Sequence, residues 1–166
     1  MRILGVDPGT INLGYGIVDG EEEMHMVDCG VIHLSPRTPM EERLCSIYSG
    51  LSNIIAKHKP NEVAIEEPFI GQNVRSAFAI GRAQAIAILA AANQGLPVYY
   101  YPPARVKQQI TNYGRSSKQQ VQEMVKIQLQ LLELPQLSDA SDALAIAICH
   151  LQQSRFNQRI AKQILK

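Results

Sequence analysis

Four acids stand where a folded α/β chain could bring them together. Asp7 ends the apolar run Ile3-Leu4-Gly5-Val6, and Glu66 ends the run Val63-Ala64-Ile65. Asp139 and Asp142 lie three apart in Ser138-Asp139-Ala140-Ser141-Asp142-Ala143-Leu144-Ala145, so on a helix they share a face. Clustered carboxylates repel one another, and without a cation some of them protonate. Oxygen-only ligation suits Mg²⁺ or Mn²⁺. Two such ions about 4 Å apart can stabilise both the entering and the leaving oxygen of an in-line phosphoryl displacement. The chemistry expected of these four acids is therefore phosphodiester hydrolysis. Each acid also has a plainer reading. Asp7 could open a Pro8-Gly9 turn, Glu66 could be a solvated strand end, and Asp139 with Asp142 is nearly a capping box, worth roughly 1 kcal/mol. Glu67 follows Glu66 but must face the other way on a strand, and Glu66 is the one expected in the site. The histidines His25, His33, His58 and His150 have no serine or cysteine partner at a telling spacing. His150, two turns past Asp142, reads as a helix residue.

The elements that must position these acids follow from hydrophobic periodicity and turn residues. Ile3–Val6 reads as a strand stopped by Asp7-Pro8-Gly9-Thr10, and Gly14–Gly20 as a second strand closed by Asp19-Gly20. Met24–Leu34 supplies a third, and the three form an antiparallel meander. Met40–His58 is helical, with Leu44, Ile47, Leu51, Ile54 and Ile55 at spacings of three and four. Val63–Ile65 is a strand, Arg75–Asn93 an Ala-rich helix, and Val98–Tyr101 a strand ended by Pro102-Pro103. Ser117 with Gln120 resembles a capping box opening a helix with Val121, Met124, Val125, Leu129 and Leu132 as its stripe, closed by Pro135. A last helix starts at Ser138 or Asp139. Alternating strands and helices in the second half imply crossovers onto a parallel sheet, and the opening meander makes the sheet mixed. Acids at the carboxyl ends of the two central strands then fall at the crevice where open α/β sheets bind ligands.

Composition sets the outer limits. The 166 residues are 46% hydrophobic and 19% charged, ordinary for one folded domain and too apolar for a disordered chain. The longest apolar run, Ala85–Ala92, is less than half a bilayer span. An acid at position 7 comes too early for a signal peptide. Cys29, Cys45 and Cys149 lack metal-like spacing and read as buried, reduced thiols of a cytosolic protein. Net charge is only +1, but residues 1–104 carry a balance of −4 and residues 105–166 one of +5. The charge is polarised along the chain, with its net positive part in residues 105–166.

Several motifs, in order, resemble a known family. Asp7-Pro8-Gly9-Thr10 with Gly14-Tyr15-Gly16, then Ala64-Ile65-Glu66 with Phe69, then Asp139-Ala140-Ser141-Asp142-Ala143-Leu144-Ala145-Ile146-Ala147, are similar to the RuvC family of Holliday-junction resolvases, crossover junction endodeoxyribonucleases. Gly81-Arg82-Ala83, residues 93–97, Arg105-Val106-Lys107-Gln108 and Lys118 also fall in that pattern, so the likeness spans nearly the whole chain. The resemblance implies one RNase H-like nuclease domain over residues 1–166. Its fold would be α/β, a mixed five-stranded sheet of order 3-2-1-4-5 with strand 2 antiparallel, flanked by helices. It implies a Mg²⁺-dependent endonuclease with two ions per active site, for which Mn²⁺ can substitute. Such an enzyme resolves Holliday junctions by paired symmetric nicks in homologous recombination and DNA repair, leaving 5′-phosphate ends. The implied setting is cytoplasmic, with four-way junction DNA, a homodimer and a branch-migration complex of the RuvA/RuvB type as partners, and no membrane.

Residue by residue, Asp7, Glu66, Asp139 and Asp142 match the family's metal-binding catalytic acids. Lys107 and Lys118 match basic residues implicated in junction contact, and Phe69 matches an aromatic that stacks on a base. Arg115 joins them as an expected phosphate contact, since such contacts carry most nucleic-acid affinity. The expected dimer interface includes the Ala-rich helix around Ala83–Ala92. Two alternatives stand beside this reading: a nucleotide phosphotransferase of the RNase H-like superfamily, and a non-catalytic junction-binding protein of the same fold.

Overall fold

The computed structural model describes residues 1–20, 23–67 and 74–164. Five strands form one sheet: β1 (Arg2–Asp7), β2 (Asn12–Gly20), β3 (Met24–His33), β4 (Glu62–Glu66) and β5 (Val98–Tyr101). The helices are α1 (Met40–His58), α2 (Val74–Ala92), α3 (Pro103–Thr111), α4 (Lys118–Gln128) and α5 (Ser138–Ile164). Sheet order is β3-β2-β1-β4-β5, with β2 antiparallel to both neighbours and β4 parallel to β1 and β5. This is the order and the mixed pairing that the resemblance implied.

Strand alternation divides the sheet into two faces, each with its own core. Leu4, Val6, Leu13, Ile17, Val63 and Ile65 pack against α1 and α2. Ile3, Val18, Ala64 and Tyr101 pack on the other face with residues of α3, α4 and α5. Asp7 has the parity of Ile3, and Glu66 that of Ala64. Both acids therefore point to the α5 side, and Glu67 does not.

Glycines let α5 lie low on that face. Gly5 of β1 pairs with Gly16 of β2, and Asp7 pairs with Gly14. A Cβ on Gly5 would strike the backbone of Ala143, and a Cβ on Gly14 the backbone of Asp139. The helix answers with Ala140, Ala143 and Ala147, all buried. Every residue from Ala143 to Leu151 is buried, as expected of a helix that is apolar all round.

Several expectations need correction. Pro102-Pro103 ends β5 but also opens α3, which was not expected: Pro102 is the N-cap and Pro103 the first helical residue, a position that needs no N–H donor. The Ser117–Gln120 capping box is present, yet α4 stops at Gln128 rather than at Pro135. Leu132 lies beyond the helix at 93% exposure, outside the stripe expected to contain it. Cys149 is buried, but Cys29 is only half-buried and Cys45 is exposed. Of the helix expected at a dimer interface, Ala83, Ala87, Ala90 and Ala91 face the core of their own chain, while Phe78, Ala85, Leu89 and Ala92 are on its exposed outer face. No helix among the described residues is long and apolar enough to cross a membrane.

Candidate active site

Asp7 closes the central strand β1 and faces α5. Its cross-strand partner Gly14 lies directly beneath the Asp139 backbone, so the start of α5 is pressed against the end of β1. One carboxylate oxygen from each of Asp7, Asp139 and Asp142 falls within 4.8 Å of the others. Glu66, at the end of parallel β4, lies close enough to act electrostatically on Asp7 and to feel Asp142. All four acids expected from the sequence thus share one region, with three of them forming its tight centre.

The capping-box alternative does not survive. Helix α5 begins at Ser138, so Asp139 is inside its first turn and Asp142 opens the second. Asp142 Oδ2 instead accepts a hydrogen bond from Lys118 Nζ at 2.5 Å. Lys118, expected on the DNA-facing surface, is an ion-pair partner within the acidic cluster. Lys107, on α3, is half-buried and lines a cavity of about 250 Å³ together with Glu66, Lys118 and Asp142. Arg115 is exposed in the turn between α3 and α4. Phe69 lies outside the described residues.

The electrostatics are those of a site short of positive charge. Burial, then the charges of Glu66, Asp142 and Asp139, push the Asp7 carboxyl up to about 8 against the opposing pull of Lys118. Burial and the Asp142 charge push Glu66 up to about 7, with Lys107 and Lys118 pulling the other way. Asp142 is raised by burial despite its bond to Lys118. Burial alone would lower the Lys118 ammonium, but the hydrogen bond and charge of Asp142, with Asp139 and Asp7, raise it. A carboxylate set in which Asp7 still holds its proton at neutral pH, and which offers only oxygens, fits a hard divalent ion.

Asp7 keeps its proton in the folded chain up to about pH 8, whereas the unfolded carboxyl releases it near 3.8. The folded state binds the extra proton between those values, so this contribution is full at low pH and is lost as pH rises through about 8. Asp19 and Asp28, lowered by Arg2 and Lys57 against the cost of burial, act in the opposite sense at low pH. Asp7→Asn isolates the effect. In chelator the variant should match wild type at pH 4 and melt at least about 5 °C higher at pH 9. Parallel melting profiles across that range would sink this account of Asp7.

A second polar cluster lies behind the site. Buried His150 has Nδ1 2.7 Å from the Tyr101 hydroxyl and Nε2 2.5 Å from Glu62 Oε2. It ties α5 to β4 and β5 and is a structural helix residue, as its position indicated. Sequence reasoning missed these contacts, the Lys118–Asp142 pair and the glycine row. The glycine signal was present, since Gly14-Tyr15-Gly16 inside a strand marks close backbone approach.

The chain and its fold have known counterparts. The family model for crossover junction endodeoxyribonuclease RuvC matches residues 3–150. The chain belongs to the RuvC family. It is 48% identical to the RuvC of Dehalococcoides mccartyi strain BAV1, over 98% of each chain. It is 45% identical to the RuvC of Pelotomaculum thermopropionicum, over 96% of this chain and 98% of that one. Among solved structures, T. thermophilus RuvC in complex with a Holliday junction substrate superposes with a TM-score of 0.89. That match has 34% identity and covers 95% of this chain and 96% of that one. The RuvC fold is RNase H-like, and the sheet order of this chain is that of the RuvC resemblance.

Proposed function

We propose that this RuvC-family chain is a Mg²⁺-dependent endonuclease that resolves four-way DNA junctions by paired symmetric nicks, in homologous recombination and repair. The observation that carries the reading is the convergence of Asp7, Asp139 and Asp142 within 4.8 Å, with Glu66 beside them. Asp7, Glu66, Asp139 and Asp142 would hold the ions, and Mn²⁺ would fit the same oxygens. When bound, Mg²⁺ supplies the Lewis acidity that activates water and stabilises the leaving 3′ oxygen. The chain's own part is to fix the acids on β1, β4 and the rigid start of α5. Lys107, Arg115 and Lys118 contribute positive charge for the phosphates, and Phe69 is proposed to stack on an unpaired base, worth about 1–3 kcal/mol. The products carry 5′-phosphates.

Two symmetric cuts need two sites, which favours a homodimer, and the outer α2 face with Phe78 and Leu89 offers an apolar surface for it. In this reading residues 1–166 form one nuclease domain that acts in the cytoplasm beside a branch-migration complex of the RuvA/RuvB type. The test is a synthetic four-way junction beside a linear duplex of the same sequence. Paired nicks in the junction alone, dependent on Mg²⁺ or Mn²⁺, are expected. Junction binding without cutting in either metal would overturn the nuclease reading in favour of a binding protein.

A further inference from the structure

Buried carboxylates need protons or cations to offset their charge. The cluster of Asp7, Asp139 and Asp142 already contains a cation, and it comes from the chain itself. Lys118 Nζ donates to Asp142 Oδ2 at 2.5 Å, and its charge also acts on Asp139 and Asp7. Its backbone is fixed, because Lys118 is the first residue of α4 and the Ser117–Gln120 capping box holds that end from both sides. Its side chain is not fixed. It is 53% exposed, and an ammonium on a four-carbon stem can turn outward without moving the helix.

We propose that Lys118 is the resident cation of the acidic cluster in the DNA-free protein, and that it is exchanged for the divalent ion. The inference rests on the reading of the cluster as a metal site and adds a competitor to it. Lys118 pairs with the Asp142 carboxylate that an incoming ion needs, and one positive charge on a half-exposed stem is a weaker partner for several carboxylates than a dication. The site is therefore kept assembled but only weakly receptive to metal until Lys118 leaves. A DNA phosphate is the natural acceptor for the released ammonium. Phosphate binding and metal binding then favour each other, since each frees what the other requires, and such coupling must be reciprocal. The arrangement would keep the free protein poorly loaded and load it where a phosphodiester is present.

The test measures Mg²⁺ alone, without DNA, by titration calorimetry at pH 8.5–9. Wild type is compared with Lys118→Met, and with Lys118→Gln as a second variant that keeps a polar tip. Both should bind Mg²⁺ about tenfold tighter or more, which is about 1.4 kcal/mol. In wild type with ¹³C-labelled lysine, the Lys118 ε-methylene signal should shift on saturation with Mg²⁺ toward the position of a free lysine. Binding that is equal or weaker in both variants overturns the exchange, as does a Lys118 signal unmoved at saturation. Asp142→Asn separates this from failure of the underlying reading. If that variant binds Mg²⁺ like wild type, the metal-site reading falls too. If it loses Mg²⁺ while the lysine variants gain nothing, only the exchange is wrong.

Discussion

Asp142→Asn is expected to give a folded chain that binds a four-way junction and cuts it about three orders of magnitude more slowly in Mg²⁺. The fold should tolerate the change. Asp142 lies in the second turn of α5 and caps nothing, and burial already makes its charge costly there. The amide keeps the shape and can still accept a hydrogen bond from Lys118. What it loses is one negative charge, and one of two carboxylate oxygens, from a set proposed to hold two dications. Junction affinity measured without metal should hold or rise, because one acid facing the phosphates has gone. Single-turnover cleavage, junction affinity in chelator and melting temperature decide the matter together. A variant that cuts at the wild-type rate would falsify the role proposed for Asp142.

Gly14→Ala should damage cutting out of proportion to its damage to the fold. The added methyl would meet the backbone of Asp139, which cannot swing aside as a side chain can. The first turn of α5 must lift from β2, carrying Asp139 and Asp142 away from Asp7. Overpacking of this kind costs about 1–3 kcal/mol. A displacement near 1 Å at reacting groups costs about a hundredfold in rate. Gly20→Ala is the control. Its methyl would meet the flexible side chain of Leu151, far along α5 from the acids, and should cost stability without the loss of cutting. If the two variants lose cleavage only in proportion to stability, the glycine row is packing and does not set the site.

Much of this molecule is local in origin, and that part was legible in the residues. The apolar runs ending at Asp7 and Glu66 are strands buried on both faces; a strand's period of two says that only one of Glu66 and Glu67 can enter the site, and the α5 packing on the Ala64 face makes it Glu66, as expected. The 3.6-residue period marked α1, alanine content marked α2, and the Ser117–Gln120 pair marked the start of α4. The ordered motifs were specific enough to indicate the family and its sheet order. The sequence misled where one residue type serves two ends. Pro102-Pro103 stops a strand and also starts a helix, so α3 and the placement of Lys107 went unseen. Alanines on α2 can equally face a partner or the core, and the core took Ala83, Ala87, Ala90 and Ala91 but left Ala85 and Ala92 exposed. The distances within the site belonged to the tertiary structure alone. How low α5 lies depends on Gly5, Gly14 and Gly16 meeting Ala143, Asp139 and Leu144 across more than a hundred residues of chain. Spacing along the chain carries no trace of such contacts. The same packing brings Lys118 from another helix onto Asp142, and no periodicity in either helix could say that the cation nearest the acids would be the chain's own.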